Sequence, residues 1–313
     1  MLTAVLTRAD VSRHLQALHL LQALREAFGK RAAATGAISH GSGVTTRTAR
    51  LEGIPAWSAL VETRTAEATR AVLQLHDLAT GKLLAVMDAT HLLALRTSLM
   101  SALAADVLAR TNASRVAVLG MGSAASSALK ALRLVRSIDE VWLYEPNTAV
   151  NFELAKRLGQ SLSMAIHAAD SVAEATEHAD LVVLTGSVAL GDAPLRAGTH
   201  LTVLAAESFS GTPLAAATVG SAVVGGPVVG GAAQALARAR RFTDSRDPVL
   251  PWFPAPDAEL ADVLAQTAEG RQHAEQVTLF TSVAPPWLDL LAAWHVFEGA
   301  RLDETLTRID LEA

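Results

Sequence analysis

A glycine-rich turn carries the clearest chemical signal in the sequence. Residues 120–125 read Gly-Met-Gly-Ser-Ala-Ala, directly after the apolar residues 116–119 and directly before a helical pattern. In such a turn the first glycine permits a sharp bend, the second lets the backbone approach a pyrophosphate, and a small third residue lets helix and strand pack closely. The helix N-terminus then presents N–H groups and a positive dipole to the phosphates. The spacing predicts dinucleotide binding by Gly120, Met121, Gly122, Ser123 and Ala124.

An acidic residue follows the next apolar run. Glu145 comes directly after residues 141–144, at the place where a carboxylate accepts hydrogen bonds from ribose hydroxyls. A negative charge there repels a 2′-phosphate, so the sequence predicts NAD as the cofactor, with NADP as the alternative. Thr185, after the apolar residues 181–184, is a further candidate for this site. The competing interpretation is a tight strand–helix turn with an unrelated surface glutamate.

The elements around the turn are predicted by periodicity. Between residues 113 and 285, short apolar runs alternate with helical patterns, which is typical of a parallel, doubly wound sheet. Before this stretch, residues 71–77 and 83–88 flank a Thr-Gly turn and predict a β-hairpin. Residues 287–300 predict a C-terminal helix that we expect to pack on the N-terminal part of the chain.

Composition excludes several classes of protein. The chain has 313 residues, of which 50% are hydrophobic and 18% charged, so disorder is excluded as a general description. The net charge of −5 argues against a nucleic-acid partner, and the absence of cysteine excludes thiolate catalysis and cysteine metal sites. Ten scattered histidines predict no metal site. The longest uncharged stretch, residues 208–237, contains Pro213 and Pro227, so we expect no membrane segment and a cytoplasmic protein.

Two motifs upstream of the glycine turn point to a known family. Residues 80–88 read TGKLLAVMD and residues 94–98 read ALRTS. Together with the glycine turn they resemble the ornithine cyclodeaminase/μ-crystallin family, and the resemblance extends through residues 280–283 to Asp289. It implies an α/β fold in which a Rossmann-type, doubly wound parallel sheet is inserted into a discontinuous α+β domain. We therefore expect residues 1–112 with 286–313 to form a substrate-binding and dimerisation domain, and residues 113–285 to form the dinucleotide-binding domain.

The resemblance also implies a chemistry. Members of the family bind an α-amino or cyclic α-imino acid, transfer hydride at its C–N bond, and are homodimers. Arg96 matches the arginine that binds the substrate carboxylate, and Arg47 corresponds to a second carboxylate-binding arginine upstream. Thr97, which follows Arg96, is a further candidate for substrate binding. Glu207 occupies the position of the catalytic aspartate, where a carboxylate stabilises iminium charge or moves a proton. The alternative for Arg96 is capping or ion pairing within its own helix.

One departure from the family pattern bears on whether the chain reduces an imine or deaminates an amino acid. The family's lysine that assists proton transfer is missing, because no lysine lies between residues 31 and 81. Four of the charged residues in that stretch are Glu62, Arg64, Glu67 and Arg70. We interpret each of them as part of a solvated loop; the alternative is that one of them replaces the charge of the missing lysine. Reduction of a cationic imine needs less proton transfer than deamination. The sequence therefore favours an NAD(P)-dependent imine reductase or amino-acid dehydrogenase, with an ornithine cyclodeaminase or a non-catalytic dinucleotide-binding relative as alternatives.

Overall fold

The chain consists of two compact units. The structure, a computed structural model, describes residues 2–65, 67–120, 122–185, 188, 190–191, 193–204, 231–246 and 255–311. Unit 1 comprises Met1–Arg96 and Pro285–Ala313, and unit 2 comprises Thr97–Ala284. The first division thus falls earlier in the chain than the expected boundary after residue 112. The functions expected of the two domains stay predictions.

The helices and strands follow one another in chain order. The first part of the chain contains β1 (Thr3–Leu6), α1 (Arg8–His14), α2 (Ala17–Gly29), β2 (Ala34–Gly41), β3 (Val44–Leu51), β4 (Ala56–Arg64), β5 (Thr69–Asp77), β6 (Leu83–Asp88) and α3 (Thr90–Leu108). The remainder contains β7 (Arg115–Leu119), α4 (Gly122–Leu132), β8 (Glu140–Tyr144), α5 (Thr148–Leu162), β9 (Ile166–Ala168), α6 (Val172–Glu177), β10 (Leu181–Leu184), β11 (His200–Val203), α7 (Gly231–Ala237), β12 (Arg240–Thr243), β13 (Ala258–Glu259), α8 (Leu260–Leu264), β14 (Thr278–Thr281), α9 (Trp287–Ala300) and β15 (Thr307–Ile309).

Unit 1 is built on a mixed sheet. Among the described residues its seven strands have the order β15-β1-β6-β5-β4-β3-β2. Strands β2 to β6 form an antiparallel meander, which confirms the predicted β5–β6 hairpin. β1 pairs in parallel with β6 and antiparallel with β15, so the two ends of the chain meet at one edge of the sheet.

One face of this sheet is buried under α9. Directly opposite one another on the buried face lie Arg47, Leu60, Leu73 and Met87, from β3, β4, β5 and β6. Helix α9 packs against β3, β4 and β5. It follows Pro285 and Pro286, and proline is well suited to the start of a helix because its missing N–H has no helical partner there. The C-terminal helix therefore covers the core of unit 1, as expected.

Unit 2 has the predicted parallel architecture. Its eight described strands have the order β13-β12-β14-β11-β10-β7-β8-β9, and every neighbouring pair is parallel. Six of them, β9-β8-β7-β10-β11-β14, follow the 3-2-1-4-5-6 order of a Rossmann sheet. Alternate residues of β7 enter two separate apolar clusters, Val116 and Val118 in one and Ala117 and Leu119 in the other. Both faces of the sheet are therefore covered, as in a doubly wound fold.

Helix α3 spans the division between the units. It is long and apolar enough, by length and composition, to cross a membrane, but 67% of the residues concerned are buried inside the protein. A core helix has the same properties, and buried side chains such as Leu92, Leu99 and Leu103 account for its apolar character. The uncharged stretch 208–237 lies mostly outside the described residues.

A buried histidine joins three segments of unit 2. The Nδ1 atom of His200 lies 2.9 Å from the Thr278 hydroxyl, and its Nε2 atom lies 3.0 Å from the Thr202 hydroxyl. The Thr278 hydroxyl donates its proton to the Leu108 carbonyl at 3.2 Å and accepts a hydrogen bond from Arg271 at 2.8 Å. We therefore assign the proton of the neutral ring to Nδ1, because Nε2 must accept from Thr202.

This histidine makes the stability of unit 2 depend on pH. Burial, reinforced by the positive charges of Arg271 and Arg136, lowers the pKa of His200 from 6.5 to about 3. The unfolded chain therefore binds a proton between these values that the folded chain does not bind. We expect the free energy of unfolding to decrease by up to about 1.4 kcal/mol per pH unit as the pH falls below the ordinary histidine range.

Denaturant unfolding between pH 4.5 and 7.5 measures this slope. His200→Gln should reduce it, whereas His40→Gln, which changes an exposed histidine, should leave it unchanged. An equal slope in wild type and His200→Gln would contradict the assignment of a neutral buried ring.

Candidate active site

The glycine turn lies between the central strand and the first helix of unit 2. β7 ends at Leu119, and Gly120 follows with φ +115°, a backbone conformation that favours glycine. The N–H of Gly120 donates to the Tyr144 carbonyl at 2.9 Å, which continues the β7–β8 pairing into the turn. Helix α4 begins at Gly122 and includes Ser123 and Ala124, whereas Met121 lies outside the described residues.

The predicted ribose-binding residue lies at the same edge of the sheet. Glu145 is half-buried and directly follows β8, the neighbour of β7. On the other side of β7, the backbone N–H of Thr185 donates to the Leu119 carbonyl at 2.9 Å, and its hydroxyl donates to the same oxygen at 3.4 Å. The structure thus brings Glu145, Thr185 and the glycine turn together at the carboxyl ends of three adjacent strands.

These residues fit a dinucleotide. The positive φ of Gly120 provides the sharp bend, and the side chain of Ala125 is completely buried where the third small residue of the motif must pack. The 11-residue helix α4 directs its free N–H groups and the positive end of its dipole towards the turn. Residues 120–125 together with Glu145 are therefore suited to hold the pyrophosphate and a ribose.

A buried carboxylate joins the two predicted substrate arginines in unit 1. Asp289, in the first turn of α9, accepts a hydrogen bond at Oδ1 from Arg96 Nε at 2.8 Å. Its second oxygen, Oδ2, accepts from Arg47 Nη1 at 3.4 Å. Arg96, Arg47 and Asp289 are exposed by only 0%, 6% and 1%, so this ion cluster is largely shielded from solvent. The structure therefore places Arg96 and Arg47 on one carboxylate.

A second carboxylate extends the cluster along the sheet. Glu62 lies on the buried face of β4, with its Oε2 atom 3.9 Å from Arg47 Nη2 and its Oε1 atom 3.1 Å from Arg64 Nη2. The register pairs Thr45 with Glu62, so Arg47 is its diagonal neighbour on the same face. The interpretation of Glu62 as a solvated loop residue is wrong, because alternation in β4 turns this side chain inwards. We call Arg96, Asp289, Arg47, Glu62 and Arg64 the arginine cluster.

The structure shows less about the remaining residues that the sequence predicts for the substrate site. Thr97 follows Arg96 on α3 and is half-buried. Arg96 forms an ion pair with Asp289 on α9, outside its own helix. Glu207 lies outside the described residues, and its predicted role stays a prediction. The sequence indicated a functional role for Glu62 only as the alternative to a solvated loop, and it indicated no role for Asp289, although a carboxylate in an apolar helix indicates a buried charge that needs a partner.

The arginine cluster does not line the cavity of about 610 Å³ that the described part of unit 1 contains. That cavity is lined by apolar side chains that include Leu2, Phe297 and Leu302 and by the charged residues Asp77, Glu298, Arg301 and Arg308. Within the described part of the chain, no three histidine or acidic side chains lie close enough together to bind a metal ion. The arginine cluster is therefore identified by its buried charges and not by a large opening.

The chain is similar to known proteins in both sequence and fold. The sequence profile of the Ornithine cyclodeaminase/mu-crystallin family matches residues 1–304. The Delta(1)-pyrroline-2-carboxylate reductase of Bacillus cereus is 27% identical over 234 residues, which cover 73% of this chain and 70% of that protein. The ornithine cyclodeaminase of Agrobacterium tumefaciens is 29% identical over 253 residues, which cover 76% of this chain and 65% of that protein.

A solved structure has the same fold. The structure of Thermococcus litoralis Delta(1)-pyrroline-2-carboxylate reductase in complex with NADH and L-proline matches with a TM-score of 0.80. The match covers 98% of this chain and 100% of that chain at 22% sequence identity. The predicted fold, a Rossmann-type sheet together with a second sheet-containing unit, is confirmed.

The arginine cluster predicts a large effect of removing one charge. Arg96→Met leaves the buried carboxylate of Asp289 with less compensation, and we expect it to destabilise unit 1 by about 3–5 kcal/mol. The matched control is Lys30→Met, which breaks the exposed pair with Glu26, at 3.2 Å, and should change stability by less than about 0.5 kcal/mol. Urea unfolding measures both variants. Equal stabilities of Arg96→Met and wild type would contradict the tight pairing.

Proposed function

Because the chain belongs to the Ornithine cyclodeaminase/mu-crystallin family, we propose that it is an NAD-dependent reductase of cyclic or open-chain α-imino acids. The observation that carries the proposal is the presence of two buried arginines on a shared carboxylate in a chain whose central Rossmann strand is followed by Gly120 at positive φ and by helix α4. The similarity to the Bacillus cereus reductase over most of the chain supports the same reaction. Amino-acid oxidation is the reverse of this reaction at the same C–N bond.

Unit 2 supplies the cofactor site. The N–H groups at the start of α4 bind the pyrophosphate, and Glu145 accepts hydrogen bonds from the ribose 2′- and 3′-hydroxyls. The carboxylate of Glu145 disfavours a 2′-phosphate, which supports NAD over NADP. When bound in reduced form, this cofactor supplies the hydride. The Thermococcus litoralis reductase with the same fold holds NADH and L-proline, in agreement with this assignment.

Unit 1 supplies the carboxylate site. Asp289 accepts from Nε of Arg96, and the two terminal nitrogens of that guanidinium lie further along the side chain, where a planar fork suits a carboxylate. Arg47 adds a second positive charge on the same carboxylate. The hydroxyl of Thr97, the next residue along α3, is a further predicted contact of the substrate. A carboxylate held in this way fixes the neighbouring imine carbon, which converts a bimolecular encounter into an oriented one.

Few proton transfers are needed for imine reduction. The hydride adds to the imine carbon, the electron pair of the C=N bond moves to the nitrogen, and the proton already on the iminium nitrogen stays there. The products are an α-amino acid and the oxidised cofactor. The predicted role of Glu207 is to stabilise the iminium charge or to move a proton. Deamination with ring closure needs further proton transfers, and the stretch from residue 31 to 81 lacks the family's lysine. An ornithine cyclodeaminase is therefore the weaker candidate.

The proposal includes a homodimer formed by unit 1. Strand β2 is an exposed edge strand whose sequence, ATGAISHG, contains no proline, lysine or acidic residue to prevent pairing with another strand. On the sheet face opposite α9, Val44, Val61 and Val72 are exposed. An unprotected edge beside exposed valine side chains supports association of two copies. The proposed dimer would act in the cytoplasm, where nicotinamide cofactors are abundant.

Cofactor titration tests the role of Glu145. Energy transfer from tryptophan, including Trp142 on β8, to bound NADH or NADPH measures the two dissociation constants. We expect wild type to prefer NADH, and Glu145→Ser to shift the ratio of the two constants by roughly tenfold towards NADPH, because a repulsive charge is removed. The matched control is Glu140→Ser, at the exposed amino end of the same strand. A wild-type preference for NADPH would contradict the Glu145 assignment, and binding of neither cofactor would contradict the proposed enzyme.

Turnover tests the role of Arg96. We expect wild type to reduce Δ1-pyrroline-2-carboxylate with NADH. Arg96→Lys keeps the positive charge beside Asp289 but loses the planar fork, so KM for the imine should rise by at least about tenfold while the affinity for NADH is unchanged. Arg50→Lys, on the opposite face of the strand that carries Arg47, is the control. Equal KM values for wild type and Arg96→Lys would contradict the carboxylate-binding role.

A further inference from the structure

Unit 2 has a cavity at the sheet edge opposite the glycine turn. Its volume is about 560 Å³, within the range of pockets that bind small molecules. The lining comes mainly from residues 109–112 and 270–274, which precede β7 and β14. These strands belong to one parallel sheet, so both segments lie at its amino edge, whereas Gly120 follows the carboxyl end of β7. We call this opening the amino-edge cavity, and it is separate from the candidate cofactor site.

The charged side chains that line the amino-edge cavity are basic. Two guanidinium groups, those of Arg110 and Arg271, lie in its wall together with the imidazole of His273. Among the described residues of the lining there is no carboxylate. A cleft lined by one sign of charge raises the local concentration of ligands of the opposite sign. The lining therefore favours an anion.

The guanidinium of the half-buried Arg271 is held by neutral groups. Its Nε donates to the Leu108 carbonyl at 2.9 Å, its Nη2 to the Thr278 hydroxyl at 2.8 Å, and its Nη1 to the Gln276 carbonyl. In the part of the chain that the structure describes, these bonds occupy three of the five N–H groups, and none of them reaches a carboxylate. Burial, reinforced by the charge of Arg110, lowers the pKa of Arg271 from 12.5 to about 10. A bound anion would supply the counter-charge that a half-buried cation favours.

Arg110 shares its carboxylate partner with another arginine. Its Nη2 donates to Asp180 Oδ1 at 2.6 Å, and Arg115 donates to the same oxygen at 3.2 Å and to Oδ2 at 3.3 Å. Glu140 adds an attraction for Arg115 at longer range. Asp180 therefore divides its charge between two guanidinium groups, and Arg110 keeps part of its positive charge for a ligand of the amino-edge cavity.

The two lining segments are held in place without a ligand. Gly198 has φ +82°, and a Cβ atom there would lie 2.9 Å from Arg110 Nε, so the arginine side chain packs across a glycine. The N–H of Gly198 donates to the Glu275 carbonyl at 2.8 Å, and the N–H of Gln272 donates to Gln276 Oε1 at 2.8 Å. Groups fixed in this way lose little conformational entropy on binding. The amino-edge cavity is thus a preorganised site.

The donors in the lining exceed what one carboxylate accepts. Besides the guanidinium groups of Arg110 and Arg271, the lining contains the amide of Asn112, the hydroxyl of Thr111 and the imidazole of His273. A carboxylate has two acceptor oxygens, whereas a phosphate group has three and carries up to two negative charges near neutral pH. A phosphate group therefore matches this set of donors better.

We propose that the amino-edge cavity binds the phosphate group of a small molecule, with Arg110 and Arg271 as its principal contacts. The rest of the cavity, whose lining includes Val107 and Val263, accommodates the uncharged part of that molecule. The site does not depend on the reaction proposed above, because the glycine turn lies at the other edge of the sheet. A phosphorylated ligand and the dinucleotide can therefore be bound at the same time.

Isothermal titration calorimetry with inorganic phosphate tests the site. We expect saturable binding with a dissociation constant below about 1 mM, unchanged by saturating NADH. Arg271→Gln should raise this constant by at least about tenfold, because it removes a charged donor. The matched control is Arg133→Gln, which also removes an arginine that donates to a backbone carbonyl, that of Leu162 at 2.9 Å, but does not line the cavity. Its constant should equal that of wild type.

Three results of the titrations would contradict the inference. The first is an equal dissociation constant for wild type and Arg271→Gln, or binding weaker than about 10 mM in wild type. The second is acetate binding as tight as phosphate binding, which would remove the preference for a phosphate group. The third is loss of phosphate binding when NADH is added, which would locate the phosphate at the glycine turn. If NADH itself does not bind, the proposed function fails, whereas the comparison with Arg271→Gln still tests the amino-edge cavity.

Chemical modification of the wild-type protein covers the case in which Arg271→Gln does not fold. Phenylglyoxal reacts with arginine side chains, and mass spectrometry of the resulting peptides identifies each modified residue. Phosphate at ten times its dissociation constant should slow the modification of Arg110 and Arg271 by about tenfold, because the occupied site is shielded. Modification of Arg133 should not change. Equal rates for Arg271 with and without phosphate would contradict the inference.

Discussion

The architecture of unit 1 depends on the ion pairs that the carboxylate of Asp289 makes with two arginines. A buried charge must be paired, and this one is paired twice, with Arg96 on α3 and Arg47 on β3. The rotation of α9, the rotation of α3 and the inward face of β3 are thereby fixed relative to one another. A strand shift by one residue would direct Arg47 to the opposite face and leave Asp289 without this partner. The ion cluster thus specifies the register of the sheet as well as the candidate substrate site.

Unit 2 is organised by a different constraint. In the part of unit 2 that the structure describes, the candidate site consists mainly of backbone, namely a glycine with φ +115° and the start of α4, to which Glu145 adds a charged side chain. Backbone N–H groups at a helix start are directed by the helix itself and need no additional support. The proposed cofactor and substrate sites therefore differ in how they would bind negative charge, through fixed backbone amides in one unit and through paired arginines in the other.

How much of the fold and of the candidate sites could be predicted from the sequence depends on whether the signal is local in the chain. The alternation of residues 71–77 and the glycine turn gave the hairpin and the central strand, because both signals are local. β1 and β15 have only four and three residues and pair with distant segments, so no local pattern identifies them. Arg96 lies in phase with Leu92 and Leu99, and Glu62 in phase with Leu60, and charges in phase with an apolar pattern indicate burial. Their pairing, however, depends on the tertiary contact with Asp289.

Unit 1 is made of two segments from the two ends of the chain, so during synthesis its first segment exists for some time without the second. Arg96 is made 193 residues before the carboxylate that pairs with it. At typical translation rates this corresponds to a wait of roughly 10–40 s, during which the sheet lacks its covering helix. Unit 2 is synthesised in full within that interval and has its own core. The first unit to emerge from the ribosome is therefore the last to be completed, and its exposed apolar face requires protection until the final helix arrives.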